Sequence, residues 1–408
     1  MSQPLRRAEQ KPDFLPYGRQ VVEDDDIEAV AAALRGDFLT TGPLVARFEE
    51  ALARTVHAEH AVVCANGTAA LYMAARALGL GTGSKVIVPS ITFLATASAP
   101  HLAGAEIVFA DVDPDTGLMR PRDLEEALAR TGRAHALFNV HLNGQCGEAE
   151  EIAEIARRHG LKILDDACHA IGTRYDAAGS EHVVGDNAFS DLTVFSFHPV
   201  KTVTMGEGGA VTANDPALAA ALRRERNHGM TREPSEFVSI EDGFEAEGRA
   251  NPWYYELVEP GFNWRATDIQ CALGLTQLGK LPRFAARRRA LAAAYDSLLA
   301  PFAPLLRPIG RTPTCRPTWH LYAVLIDFEA CGITRAEAMT RLAAEGIGSQ
   351  VHYYPLHRQH YYASRYGRRQ LPGADRYYAR VLSLPFFSSM AVSDLARVTS
   401  TLARILKL

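Results

Sequence analysis

The segment Phe195-Ser-Phe-His-Pro-Val-Lys201 is followed after a short gap by Gly206-Glu-Gly-Gly209. Lys201 stands in apolar and aromatic surroundings, where desolvation disfavours the ammonium form. Its amine is therefore predicted to be a usable nucleophile and base that can form a Schiff base with an aldehyde. Ser196 is placed to hold a phosphate oxygen, and the glycines let the backbone approach a ligand closely. A solvated lysine in a surface turn is the alternative, and these neighbours favour a site.

Strand and helix patterns alternate around this segment, from about residue 24 to residue 230. Apolar strand patterns fall at 61–64, 86–88, 107–110, 136–140 and 161–164. Helical patterns fall between or before them, at 24–35, 68–80, 92–103, 122–130 and 148–159. This alternation predicts an α/β fold in which a mostly parallel sheet carries helices on both faces. Residues 192–197 and 209–212 predict two further strands that pair with each other.

The pattern changes after Asp268. Helices are predicted at 269–278, 284–299, 335–345 and 391–405, and strands at 320–328 and 348–352. We therefore expect an N-terminal arm (1–14), a large domain (15–280) and a smaller C-terminal α+β domain (281–408). The polar, Gly-containing stretch 233–252 is predicted to be a loop or lid.

Composition narrows the class of protein. The chain has 408 residues, 47% of them hydrophobic and 22% charged, as in a globular protein of enzyme size. A formal net charge of −4 gives no reason to expect nucleic acid or an anionic membrane as a partner. The six cysteines are scattered, and neither a signal peptide nor a long apolar run is present. These features predict a cytoplasmic protein.

Two further segments join strands to helices. In Ala65-Asn-Gly-Thr-Ala-Ala70, Gly67 and Thr68 would present free N–H groups at a helix N-terminus, which is a natural phosphate site. The alternative is a simple helix cap. In Leu164-Asp-Asp-Ala-Cys-His-Ala170, two carboxylates end a strand, and one of them could keep a pyridine nitrogen protonated. The alternative here is a pair of capping aspartates.

The glycine fingerprints of other nucleotide-binding folds are missing. No G-x-G-x-x-G follows the first strand, and the chain has no G-x-x-x-x-G-K-[ST]. Their absence argues against a nicotinamide dehydrogenase or an NTPase.

The motifs, in their order, resemble those of the DegT/DnrJ/EryC1/StrS nucleotide-sugar aminotransferases, which are fold-type I pyridoxal-phosphate (PLP) enzymes. The resemblance covers nearly the whole chain from Leu15, and it is carried by Asn66-Gly-Thr-Ala-Ala, Ile91-Thr-Phe-Leu-Ala-Thr, Asp165-Asp-Ala-Cys-His-Ala, Ser196-Phe-His-Pro-Val-Lys, Gly206-Glu-Gly-Gly and Asn263-Trp-Arg-Ala-Thr-Asp. One branch is especially similar, the C4 transaminases of the pseudaminic acid pathway, which make UDP-4-amino-4,6-dideoxy-N-acetyl-β-L-altrosamine. That likeness rests on Tyr17-Gly-Arg-Gln20, Phe38-Leu-Thr-Thr-Gly-Pro43, Pro252-Trp-Tyr-Tyr-Glu256 and Val351-His-Tyr-Tyr-Pro-Leu-His357, with the lysine segment.

The resemblance implies roles for the catalytic residues. Lys201 matches the Schiff-base lysine, Asp166 the aspartate on the pyridine nitrogen, and His169 a residue near the cofactor's ring oxygen. For the cofactor, Phe93 matches the aromatic residue that stacks on the ring. Gly67, Thr68 and Ser196 match the phosphate cradle.

A homodimer with shared active sites is implied as well, because Asn263 matches a residue that reaches the phosphate of the neighbouring subunit's cofactor. Asn66 departs from the family, which usually has Ser at this position. We expect the loop to survive this change, since backbone donors do most of the phosphate binding.

The implied reaction is a ping-pong transfer of an amino group from L-glutamate to a UDP-linked 4-keto-6-deoxy-N-acetylhexosamine, with Lys201 moving the proton. Rival hypotheses are a family member that acts on another nucleotide-linked 4-keto sugar, a PLP-binding regulator without turnover, and a Rossmann-type enzyme without PLP.

Substrate contacts are predicted from the remaining polar and aromatic residues near the motifs. The candidates are His198, Trp253, Tyr254, Arg265, His352 and Tyr353. Each has a structural alternative: packing beside Pro199 for His198, a core or lid role for the aromatic residues, and an ion pair for Arg265. No metal site is predicted, and His320 has no assigned role.

Overall fold

The structure is a computed structural model that describes residues 14–408. The expected N-terminal arm therefore lies outside the described residues, except for Phe14. The elements of the first half are α1 (Asp24–Arg35), α2 (Pro43–Val56), β1 (His60–Cys64), α3 (Gly67–Ala77), β2 (Lys85–Pro89), α4 (Leu94–Leu102), β3 (Glu106–Ala110), α5 (Pro121–Thr131), β4 (Ala136–Val140), α6 (Ala149–Arg158), β5 (Lys162–Asp166), β6 (Arg174–Ala177), β7 (Ser180–Val183), β8 (Leu192–Ser196), β9 (Gly209–Ala213) and α7 (Pro216–Arg226).

A seven-stranded sheet in the order β1-β9-β8-β5-β4-β2-β3 forms the centre of the large domain. Strands β3, β2, β4, β5 and β8 run parallel to one another, whereas β9 is antiparallel to both β8 and β1. The mostly parallel sheet is thus confirmed, and so is the pairing of the two strands around the lysine segment.

Helices cover both faces of this sheet, which is why its central strands are continuous apolar runs. On β4, Phe138 packs into the core that contains α3, while its neighbour Leu137 packs into a second core with α5 and α6. This is the period-two alternation of a strand that is buried on both sides.

The parallel strands end at one edge of the sheet, where open α/β sheets bind ligands. Asp166 and Ser196 are the last residues of β5 and β8, and Ser90 and His141 directly follow β2 and β4. Asn66 follows β1, which points the same way as β8. The polar residues of the predicted site therefore converge from distant parts of the chain.

The second half contains β10 (Met230–Thr231), α8 (Ile240–Gly243), β11 (Glu256–Leu257), α9 (Asp268–Gly279), α10 (Leu281–Leu299), β12 (Leu306–Pro308), β13 (Cys315–Arg316), β14 (Tyr322–Ile326), α11 (Arg335–Ala344), α12 (His360–Tyr366), α13 (Pro372–Arg380), β15 (Val381–Leu384) and α14 (Val392–Leu406). Strands β12, β14 and β15 form an antiparallel sheet, and α14 packs against α10 and α11. Within residues 14–408, no helix combines the length and the apolar character needed to cross a bilayer.

The chain passes from α9 to α10 at Lys280, and we propose this junction as the domain boundary. Lys280 Nζ lies 3.1, 2.6 and 2.7 Å from carboxylate oxygens of Glu23, Asp25 and Asp26. The three carboxylates are therefore neutralised in part by Lys280, and these ion pairs connect α1 to the junction.

The strand predicted at 348–352 is wrong. Only Gln350 pairs with β15, through mutual backbone hydrogen bonds with Ser383 at 3.1 and 2.8 Å. The preceding Gly348 donates instead to the carbonyl of Leu15 at 2.8 Å. Because successive residues bond to different partners, no continuous ladder forms. The stretch 233–252, predicted as a loop or lid, contains the single-turn helix α8 and packs around Phe237, which is buried.

Candidate active site

A cleft of about 1060 Å³ opens at the carboxyl edge of the large sheet and is closed on one side by residues of the small domain. Most of the predicted site residues line it, namely Gly67, Thr68, Phe93, Asp166, His169, Ser196, His198, Lys201, His352 and Tyr353. Trp253, Tyr254, Asn263 and Arg265 are not among the residues that line the cleft of this chain.

Lys201 reaches the cleft from a tight turn after β8. Its backbone N–H donates to the carbonyl of His198 at 2.8 Å, and Met205 N–H donates back to the carbonyl of Phe197 at 2.9 Å. Burial lowers the pKa of the Lys201 amine, while the nearby Cys168 and Asp166 act in the opposite direction. A lysine amine with a lowered pKa is available as a nucleophile closer to neutral pH than a solvated one.

Asp165 and Asp166 point to opposite faces of the sheet, as adjacent residues of a strand must. Asp166 lines the cleft, where it accepts hydrogen bonds from the Thr96 hydroxyl at 2.6 Å and from Cys168 N–H at 3.1 Å. Asp165 instead accepts from the Asn139 amide at 3.3 Å and lies 3.5 Å from Nε2 of His141. Of the two carboxylates, only Asp166 lines the cleft.

The N-terminus of α3 forms a cradle for an anion. Asn66 is the N-cap, and its side chain accepts from Ala69 N–H at 2.9 Å. At the position where the family usually has Ser, the Asn66 side chain therefore caps the helix. The N–H groups of Gly67 and Thr68, at the first two positions, have no partner within the helix. A Cβ on Gly67 would lie 2.9 Å from that of Ser196, and one on Gly209 would overlap the carbonyl oxygen of Asn66. Both glycines therefore permit this close packing.

His169 is held between the two domains. Its Nδ1 accepts from the backbone N–H of Asn143 at 3.3 Å, and its Nε2 lies 3.1 Å from the Tyr353 hydroxyl. The ring also packs on His320, with centroids 4.3 Å apart. Burial, reinforced by the charge of Lys201, lowers the pKa of His169 well below its usual value, so the imidazole is neutral.

His352 and Phe93 also line the cleft. His352 Nδ1 lies 2.8 Å from the Ser383 hydroxyl, and burial lowers the pKa of His352 to about 3. Phe93 is 54% exposed and lines the cleft, with its ring centroid 6.0 Å from that of Tyr353. An exposed aromatic face inside a cleft is a surface on which a planar ring can stack.

Among the predicted substrate contacts, His198 is exposed at the cleft and accepts from Val200 N–H at 3.3 Å. Trp253 is 70% exposed elsewhere on the surface. Tyr254 packs edge-to-face on Phe237 and donates to Glu256 at 3.2 Å, so its side chain already has partners.

Asn263 and Arg265 also lie outside this cleft. The Asn263 side chain accepts from Arg265 N–H at 3.2 Å, and the Arg265 guanidinium donates to Asn227. A structural ion pair was the alternative prediction for Arg265, but the partner of its guanidinium is a neutral amide. Asn263 remains exposed in the single chain.

Sequence reasoning missed several residues that line the cleft, among them Tyr17, Tyr72, Cys168, Trp264 and His320. Cys168 lies between two predicted site residues, and Trp264 lies between Asn263 and Arg265, so proximity in sequence could have indicated both. His320 carried no such signal. It enters the site because its backbone N–H donates to the Asn143 carbonyl at 3.0 Å.

The chain resembles a family of known aminotransferases. The model of the DegT/DnrJ/EryC1/StrS aminotransferase family matches residues 20–403, which is nearly the whole chain.

Solved structures agree with this match. PseC from Helicobacter pylori, an aminotransferase involved in the biosynthesis of pseudaminic acid, is 28% identical and has a TM-score of 0.86, covering 97% of this chain and 99% of its own. The putative sugar aminotransferase Spr1654 from Streptococcus pneumoniae, in its PLP form, is 26% identical with a TM-score of 0.83 over 97% and 99% of the two chains. DesI, solved in the presence of its TDP-sugar product, is 33% identical with a TM-score of 0.83 over 97% and 94%.

Proposed function

We propose, from the premise that the chain belongs to the DegT/DnrJ/EryC1/StrS aminotransferase family, that it transfers an amino group from L-glutamate to C4 of a UDP-linked 4-keto-6-deoxy-N-acetylhexosamine. The family makes the protein a PLP-dependent sugar aminotransferase. The donor, the sugar and the ping-pong order are our proposal. The observation that carries it is the end-to-end similarity to PseC, together with a half-buried lysine and a buried aspartate that line one cleft.

The residues of the cleft fit PLP. The N–H groups at the start of α3 and the hydroxyl of Ser196 would hold its phosphate, since a helix N-terminus favours an anion. Phe93 would stack on the ring, Asp166 would hold the ring nitrogen, and Lys201 would bind the aldehyde carbon. When bound, PLP supplies an electron sink that stabilises negative charge on the carbon that loses a proton.

Lys201 Nζ would move that proton. Burial lowers its pKa, which brings the neutral amine closer to the working pH of a general base. Asp166, held in place by two donated hydrogen bonds, would hold a proton on the ring nitrogen. The neutral His169 and His352 would not compete with Lys201 as acids, because burial lowers the pKa of both.

A homodimer is part of the proposal. Asn263 is exposed and lies outside the cleft of its own chain, as expected for a residue that completes a neighbouring site. Exposed large apolar side chains also occur at the cleft, which is lined by Phe93, Leu94, Leu102 and Phe262. We also propose a cytoplasmic location, in keeping with six free thiols.

The identity of the sugar is tested by the half-reactions. Purified protein with PLP should absorb in the visible, lose that band with L-glutamate, and regain it with the UDP-4-keto sugar. A panel of UDP-, GDP- and TDP-linked 4-keto sugars with mass detection separates our proposal from another family substrate. Recovery with a TDP sugar alone would overturn the substrate assignment, and an inert glutamate half-reaction would favour a regulator without turnover.

The role of Lys201 is tested by Lys201→Ala, with Lys162→Ala as the control because Lys162 is a surface lysine on β5. Lys201→Ala should lose both the visible band and amine transfer, whereas Lys162→Ala should retain both. Full turnover by Lys201→Ala would refute the assignment.

A further inference from the structure

The hydrogen bonds around His169 have a fixed direction. A backbone N–H can only donate, so the bond from Asn143 makes Nδ1 of His169 an acceptor. A neutral imidazole with an acceptor Nδ1 carries its proton on Nε2. Asn143 is itself in the left-handed conformation, with φ of 61°, at the turn that follows β4.

The hydrogen bond between His169 and Tyr353 has a fixed direction as well. The Nε2–H of His169 donates to the Tyr353 hydroxyl oxygen across 3.1 Å. The tyrosine therefore uses its oxygen as the acceptor, and its own O–H must be donated elsewhere. Among residues 14–408 no other hydrogen-bond partner of this hydroxyl is present, and Tyr353 lines the cleft.

The surroundings favour a protonated Tyr353 hydroxyl and a neutral His169 ring. Burial raises the pKa of Tyr353 well above its usual value, and Asp166 and Cys168 act in the same direction. The charged and titratable groups that act on His169 are Lys201 and His352, and both oppose its protonation. His320, packed on the same ring, is also kept neutral by burial.

We propose that Asn143, His169 and Tyr353 form a one-way relay that aims the Tyr353 O–H into the cleft, where it donates to an acceptor oxygen of the bound ligands. This rests on the proposed function, in which two such oxygens exist: the ring oxygen of the cofactor and the carbonyl oxygen of the keto sugar. Asn143 is a positioning residue, because it acts only through His169.

The tautomer of His169 tests the first step without any turnover. In protein labelled with ¹⁵N-histidine, Nε2 of His169 should be the protonated nitrogen, assigned by comparison with His169→Gln. Tyr353→Phe should shift the His169 Nε2–H resonance, since that proton loses its acceptor. A protonated Nδ1 would overturn the relay.

The second step is tested with Tyr353→Phe and a matched control, Tyr361→Phe. The Tyr361 hydroxyl also contacts a histidine Nε2, that of His101 at 2.8 Å, but Tyr361 is exposed outside the cleft. If the acceptor is the cofactor oxygen, Tyr353→Phe should move the pH midpoint of the visible band by about one unit, the effect of one good hydrogen bond. If it is the sugar carbonyl, that midpoint should stay, while the half-reaction with the keto sugar slows about tenfold.

An unchanged midpoint together with an unchanged sugar half-reaction would overturn the proposal, as would equal effects from Tyr361→Phe. Thermal unfolding of both variants checks that they are folded. Should the wild-type protein take up no PLP, the proposed function fails, yet the histidine spectrum still decides the relay.

Discussion

Thr96 donates its hydroxyl to Oδ2 of Asp166 at 2.6 Å, inside the first turn of α4 and fully buried. The same hydroxyl lies 2.8 Å from that of Thr92, which lines the cleft. A carboxylate taken out of water needs such donors. The helix that follows β2 therefore holds in place the acid at the end of β5.

We predict that Thr96→Val weakens this site. The substitution keeps the shape but removes a hydrogen bond to a charged group, which typically contributes about 1.5–3 kcal/mol. We expect the midpoint of urea unfolding to fall and the PLP dissociation constant to rise. Thr340→Val serves as the control, because Thr340 is exposed on α11 and bonds only the Ala336 carbonyl. Equal losses in the two variants would contradict the prediction.

Substitution of the two aspartates at the end of β5 should affect the rate of amine transfer very differently. Asp166→Asn should retain the fold but lower the transfer rate by about 10²–10⁴, the usual cost of losing a proton-transfer partner. Asp165→Asn should leave the rate near that of the wild type, because this carboxylate faces His141. Single-turnover rates with L-glutamate measure both, and a near-normal rate in Asp166→Asn would be incompatible with the site as described.

Gly209→Ala should disrupt the phosphate cradle. Its new methyl group would overlap the carbonyl oxygen of Asn66, so the loop before α3 must shift. We expect at least a tenfold weaker PLP affinity and a destabilisation of about 1–3 kcal/mol. Gly279→Ala is the matched control, since a Cβ at that position meets no atom within 4 Å. Fluorescence titration with PLP would reveal the contrast, and unchanged affinity in Gly209→Ala would contradict it.

Stability should depend on pH through His352. Its pKa is about 3 when folded and 6.5 in the unfolded chain, so the unfolded state binds the extra proton between these values. The contribution is complete above pH 6.5 and is lost as the pH falls toward 3. Between pH 7 and pH 5 this residue alone should account for about 2 kcal/mol.

The measurement for this prediction is urea unfolding at both pH values. His352→Gln should flatten the dependence, whereas His159→Gln, at an exposed position, should not. The same dependence of stability on pH in the wild type and in His352→Gln would contradict it.

Much of the large domain could be predicted because its elements have strong, bounded patterns. The predicted bounds of α1 and β4 agree with the structure, since the helical repeat of α1 ends at Gly36 and the mainly apolar run of β4 lies between His135 and His141. The β6–β7 hairpin was missed. Its turn places Ala178 at a φ of 48°, a left-handed conformation that the presence of an alanine does not predict.

The site was predictable where chemistry is local and unpredictable where it depends on packing. Period two in β5 requires Asp165 and Asp166 to face opposite ways, but the family resemblance alone indicated which one faces the cleft. No pattern indicated His320, whose position depends on Asn143 and on the buried Arg288. The guanidinium of Arg288 donates to the His320 carbonyl at 3.2 Å.

The bond between His169 and Tyr353 joins residues 184 positions apart, one on each domain. A ribosome must therefore have synthesised the chain past Tyr353 before this wall of the cleft can assemble. During synthesis the large sheet can form first, with Lys201 and His169 already present but with His169 still lacking its tyrosine partner. The cleft is thus completed only after its lysine and its aspartate have been made, when the last wall arrives from the far end of the sequence.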